Sequence, residues 1–277
     1  MKKTLLAAAL AAAAIAAPAA TPSETAALAA AKQFYAAKGG DFAAAWNALP
    51  ASYQKEIGEV VKLFATKIDA DLWTGAQGAL KNVAGAALKK AEFAFEDEED
   101  RPDMIRLVSK AAAVLNAATY EDVKAGNIAK VLAAKPLQMP GVTDALPAFK
   151  VPALTAKQNA DGTVEISDGD DDETFALVDG KWIPKDLTED FEESMKEAKA
   201  NLATFEIPAA MKPQLAAMFP MVSNAAKKAA KAQTKEDFQQ SMMQGFMPFM
   251  MMAMSMQGGM GADMDEDDGE VEYDMAE

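Results

Sequence analysis

The chain has 277 residues, 51% of them hydrophobic, carries a formal charge of −15 and contains neither histidine nor cysteine. Without imidazole or thiol, the usual nucleophile–base pairs, soft-metal cages and disulfides are excluded. The acidic balance repels phosphate backbones and anionic headgroups, so nucleic acid is not an expected partner.

Lys2 and Lys3 precede an uncharged run from Thr4 to Ala17, and Ala17-Pro18-Ala19 offers the small residues a signal peptidase needs. Residues 1–19 are therefore expected to be a cleaved export signal, which would take the formal charge from −15 to −17. No cysteine follows for lipid attachment, so the expected product is periplasmic or extracellular and held together by packing alone.

The first half then reads as successive helices. Ser23 is an expected cap for a helix running to Lys38, where Gly39-Gly40 stops it. Asp41 caps a short helix with Phe42 and Trp46, closed by Pro50, and Ser52 starts another with Ile57, Val60, Val61, Phe64 and Ile68 on one face. Asp69 opens a longer, Gly-interrupted segment through Trp73 and Leu88 to Phe93, ending in the acidic run Glu96 to Asp100. Pro102 restarts the chain, with Ile105, Val108, Ala112 and Leu115 marking an amphipathic helix. Thr119 to Asp122 is a near capping box for a helix reaching Leu132.

Four prolines between Pro136 and Pro152 break the helical pattern. The period then changes to two, with Val164 and Ile166 alternating against Glu165 before Phe175 and Leu177 against Ala176 and Val178. Asn159-Ala160-Asp161-Gly162 and Asp179-Gly180 are turn sequences, so residues 150–184 read as a small antiparallel meander. Helix returns with the stripe Leu187, Phe191, Met195, Ala198, Leu202 and Phe205, with Thr188 as the expected cap. A C-terminal pair follows, one helix over about Ala209 to Gln233 with breaks at Pro213 and Pro220, the other from Lys235 to about Met252 after a Thr234 cap. From Gln257 onward Gly and acid dominate, and disorder is expected.

The fold class expected is α+β, predominantly α-helical: a helical array with a small antiparallel meander and a C-terminal helical segment. The expected divisions are 1–19, 20–206, 207–256 and 257–277. Phe34 to Phe42 together with Ala45 to Pro50, and the segment Leu177-Val178-Asp179-Gly180-Lys181-Trp182, resemble exported bacterial domains with a nuclear-transport-factor-like cone. More closely, Trp46 to Lys55 with Asp179 to Lys185 resembles a set of uncharacterised exported bacterial proteins. The resemblance implies an exported, non-catalytic protein. About a hundred residues of helix separate the two matching segments, so it implies the cone fold less strongly and carries over no functional residue.

Several motifs bear on chemistry. Ser52-Tyr53-Gln54-Lys55 has the Ser-x-x-Lys spacing of penicillin-recognising enzymes, but the Ser-Asp-Asn and Lys-Thr-Gly segments are missing, which favours a helix cap. Asp168 to Glu173 and Asp263 to Gly269 supply calcium-like oxygens, yet neither fits an EF-hand loop, so both read as solvated acidic segments. No phosphate loop or aspartic-protease motif occurs, and Trp46, Trp73 and Trp182 read as core. No catalytic residue, cofactor or metal ligand is assigned on these grounds.

Ten of the eighteen methionines lie between Met242 and Met264. Methionine packs adaptably, so this segment reads as a surface for a protein partner or self-association, carried by Phe246, Met247, Phe249, Met250, Met251 and Met254. The alternative is a cuprous site, with pairs such as Met250/Met252 or Met251/Met254 as soft thioether ligands. Ser241 to Ala262 also lacks charge, but Pro248, Gln244, Gln257 and four glycines argue against a membrane span. The expected function is thus that of an exported, non-enzymatic structural or interaction protein.

Overall fold

In the computed structural model the described residues are 20–258 except 138, 141 and 145. The expected export signal and most of the acidic end, including Asp263 to Gly269, lie outside them. Eleven helices and four strands are present among the described residues, and the α+β, predominantly helical class holds.

Helix α1 (Pro22–Lys38) is capped by Thr21, not Ser23 as expected. The Thr21 hydroxyl accepts from the Glu24 N–H at 3.1 Å, and Glu24 accepts from the Thr21 N–H at 2.6 Å. That reciprocal box, with Pro22 preset for the first turn, outcompetes a lone serine. Gly40, at φ 90, turns the chain into Asp41, which caps α2 (Phe42–Ala48). Helix α3 (Ala51–Lys67) follows with Pro50 at the cap position and no side-chain cap. Its Ser52 is inside the first turn, and its hydroxyl donates to Asp179 at 2.6 Å instead.

Asp69 caps α4 (Ala70–Lys89), and a break at Lys90 separates the short α5 (Ala91–Ala94). Helix α6 (Arg101–Ala117) comes next. The helix expected from Thr119 to Leu132 is two pieces, α7 (Tyr120–Ala125) and α8 (Ile128–Leu132), because Gly126 adopts φ 70. Buried Asp122 holds this corner, accepting from Thr119, Asn127 and Lys130. Those donors, Lys130 first, lower its carboxyl to about 2.

The proline segment is irregular as expected and laps α6. Ser109 Oγ donates to the Leu137 carbonyl at 2.7 Å, and buried Lys110 donates to that of Ala134. The meander then forms as β1 (Thr155–Gln158), β2 (Val164–Ser167), β3 (Asp172–Val178) and β4 (Lys181–Pro184), antiparallel in sequence order. Helices α9 (Lys185–Thr204), α10 (Lys212–Ala229) and α11 (Lys235–Gly258) complete the described chain. Thr188 sits inside α9 and donates to the Lys185 carbonyl rather than capping it.

Strand register puts Val164, Ile166, Phe175 and Trp182 on one sheet face and Ala176 and Ile183 on the other. The first set packs with Ala27 and Ala31 of α1. Ile183 packs with Tyr53 of α3 and Phe191 of α9, whose rings stack at 3.6 Å, and Phe34 touches both clusters. The sheet is therefore covered on both faces by helices.

A second assembly is helix on helix: α10 packs on α4 and on α11, and α6 packs on α4. Glycines allow the close approach. A Cβ on Gly75 would lie 2.5 Å from the Phe219 ring, and one on Gly245 would lie 2.5 Å from the Ala225 Cβ. The division expected at 206/207 falls in the loop between α9 and α10. Pro213 sits in the first turn of α10, and Pro220 lies within the helix rather than breaking it. The Ala216 carbonyl that loses its partner to Pro220 belongs to an exposed residue, where water can take the bond.

Candidate functional site

Thr234 caps α11, its hydroxyl accepting from the Asp237 N–H at 3.1 Å, and Glu236 and Asp237 add favourable charge in the first turn. From Ser241 to Gly258 the helix carries no charged residue. It ends later than the expected Met252, with Pro248 inside it, so Gln257 and Gly258 are helical rather than disordered.

Helical spacing divides the methionines between two faces. Phe238, Ser241 and Gly245 are buried on the side toward α10, and the Phe249 ring meets Phe219 with centroids 6.0 Å apart. Opposite them Met243, Met247, Met250 and Met254 recur at i, i+4, i+7 and i+11, between 45% and 70% exposed. Met251, at 65%, and Phe246, at 37%, flank that row.

Five of the six residues expected to bind a partner thus lie on the exposed side. Phe249 does not: it anchors the helix against α10. The expected soft-ligand pairs also separate. Met251 and Met254, three apart, share a face, whereas Met250 and Met252, two apart, point to different sides of the helix. Met243, which the sequence reading left out of the surface, belongs to the row; extending the Met247, Met250, Met254 period back one turn would have found it.

The other motifs resolve into local structure. Lys55 is exposed and lies 3.9 Å from Glu59, while Ser52 bonds to Asp179, so the Ser-x-x-Lys pair is not a couple. Asp168 accepts from the backbone N–H groups of Asp170 and Asp171 and from the Tyr35 hydroxyl, which closes the acidic turn. Those backbone donors lower the Asp168 carboxyl. Burial and the bond to Asp168 push the Tyr35 phenol up to about 12. Among the described residues no group of three or more acidic side chains is arranged to hold a metal ion. No described helix is long and apolar enough to cross a membrane. Trp182 is core, and the Trp73 indole donates to the Ala118 carbonyl at 3.0 Å.

No family model matches the chain, and neither does any curated protein or solved structure.

Proposed function

We propose that this is an exported, non-enzymatic interaction protein, and that the exposed face of α11 is the surface through which it contacts another protein. The observation that carries this is a helix apolar on both sides, one packed on α10, the other an exposed row of Met243, Met247, Met250 and Met254. An apolar strip open to water on a charged molecule is a usual mark of an interaction surface. Thioether side chains suit it because they adapt to a partner's shape. Absence of charge from Ser241 to Gly258 matters too, because a second copy carrying the same net negative charge meets least repulsion there. Export is supported by the basic, then apolar, then small-residue pattern at the N-terminus.

The test is a chain with Met247, Met250 and Met254 all replaced by serine. Its melting is expected to match the parent's. Size-exclusion and cross-linking of both proteins, with pull-down from a cell envelope, are expected to show association in the parent alone. Unchanged association in the variant would remove the proposal.

One observation favours a second reading, that of cuprous binding: thioethers one helical turn apart on an open face can approach a single soft ion. Titrating cuprous ion under reducing conditions into the same triple variant separates the readings. A stoichiometric site lost in the variant, without any change in association, supports the metal.

A further inference from the structure

A cleft of about 640 Å³ opens between α3, the β3–β4 turn and α9, far in sequence from the methionine row. This falls within the size of small-molecule sites. Its apolar lining is Val178, Met195 and the stacked Tyr53 and Phe191. Its polar lining is uneven. Lys199 is spoken for, since it pairs with both Glu56 and Glu59. Asp179 accepts only from the Ser52 hydroxyl, and neither it nor Glu192 has a cation partner among the described residues.

Tyr53 supplies an independent pointer. The residue is only 8% exposed, yet its hydroxyl makes no hydrogen bond to any described residue. No buried side-chain oxygen lacks a partner among them, so this oxygen is reached by solvent, and Tyr53 is one of the residues that line the cleft. Burial and then the charges of Glu192 and Asp179 hold the phenol above its ordinary value. Asp179 and Glu192 line the same cleft as this phenol. A phenol oxygen that no protein donor occupies is free to accept from a ligand entering the cleft.

We propose that the cleft binds a small primary amine on a short hydrocarbon stem, its ammonium held by Asp179, Glu192 and the Tyr53 hydroxyl. An ammonium carries three donors and no acceptor, which matches two carboxylates and a phenol oxygen. The stem lies against Val178, Met195 and the aromatic pair. Lys196, which lines the cleft and has no ion-pair partner among the described residues, disfavours a second positive charge. This site is independent of α11.

The test uses the full chain, titrated by calorimetry with n-butylammonium, tetramethylammonium and 1,4-diaminobutane. Saturable binding of n-butylammonium is expected, with tetramethylammonium about tenfold weaker because it has no N–H to donate. D179N and E192Q are each expected to weaken n-butylammonium about tenfold, and Y53F several-fold. Folding is not at issue: asparagine tolerates the φ of 48 that Asp179 adopts, Glu192 is exposed, and phenylalanine preserves the ring stack. No saturation, equal affinity in a D179N/E192Q double variant, or tighter binding of the diamine would each overturn the proposal.

Discussion

The two halves of the core are built from different material. Around the sheet, large side chains fill the space: Phe175, Ile166 and Ile183 are fully buried, and Phe34 meets Phe175 edge-on at 6.0 Å. Between α4, α10 and α11 alanine and glycine set the spacing, with Phe219, Phe238 and Phe249 as the large side chains. Ala86, Ala226 and Ala229 are buried there, and Gly75 and Gly245 leave no room for a methyl group. The first region gains stability from apolar area per residue. The second gains it from close approach of helices, which leaves the longer side chains of α11 free to face outward. Stability and the proposed contact surface are thereby separated along one helix.

Truncating the large core is expected to produce the largest effect. Phe175→Ala removes a ring with no exposure from between α1 and the sheet, and should lower stability by about 3–5 kcal/mol in denaturant melts. In the close-packed region the damaging change is the reverse, an addition. Gly245→Ala puts a methyl 2.5 Å from the Ala225 Cβ, which has no rotamer to move into. Overpacking costs about 1–3 kcal/mol and the gain in helix propensity offsets about 1, so a net loss of up to about 2 kcal/mol is expected. A gain in stability for this variant would show that the helices are not held at that separation.

Helix α7 packs on both α3 and α4, and Asp122 at its corner gives the comparison a pH axis. Its carboxyl is lowered from the ordinary 3.8 to about 2 in the folded chain by Lys130, Thr119 and Asn127. A folded value below the unfolded one means the contribution is full above about pH 4 and is lost as pH falls toward 2. Asp122→Asn is therefore expected to melt a few degrees lower at neutral pH, with the gap closing through that acid range. Thermal melts at pH 7, 4 and 2 check this, and a gap that persists at pH 2 would assign the loss to packing.

Much of this architecture is legible in the chain because it rests on local chemistry. Asp41, Asp69, Thr119 and Thr234 each cap the helix the sequence reading assigns to them, and Asn159 to Gly162 and Asp179-Gly180 turn the meander. Errors arise where two local signals compete or tertiary contacts decide. Thr21 wins over Ser23 because Glu24 completes its box. Pro220 is read as a break, yet its helix continues because packing on α4 and α11 holds it. The stripe on α9 is only half realised, with Phe191 buried and Leu187 and Phe205 exposed, since α3 and the sheet cover a narrow part of that helix. The methionine row follows from helical period. The cleft does not, because Tyr53 is more than a hundred residues from Asp179 and Glu192 along the chain and only the packing of α3 beside the sheet and α9 brings them together.

The smallest expected effect is a gain, and it sharpens the contrast with Gly245. Gly78 lies in the same helical layer, within α4, but a Cβ there would meet nothing within 4 Å. Only the backbone term remains, so Gly78→Ala should raise stability by about 0.5–1 kcal/mol. The bond from Asn82 Nδ2 to the Gly78 carbonyl, 2.9 Å long, uses the main chain and survives the change. If Gly78→Ala and Gly245→Ala shift denaturant midpoints in opposite directions, close approach of α10 and α11 is the cause, since the chemical change is the same methyl in both. If both destabilise, the glycines of these helices serve some need for backbone freedom instead, and the separation between a rigid packed face and an open methionine face loses its physical basis.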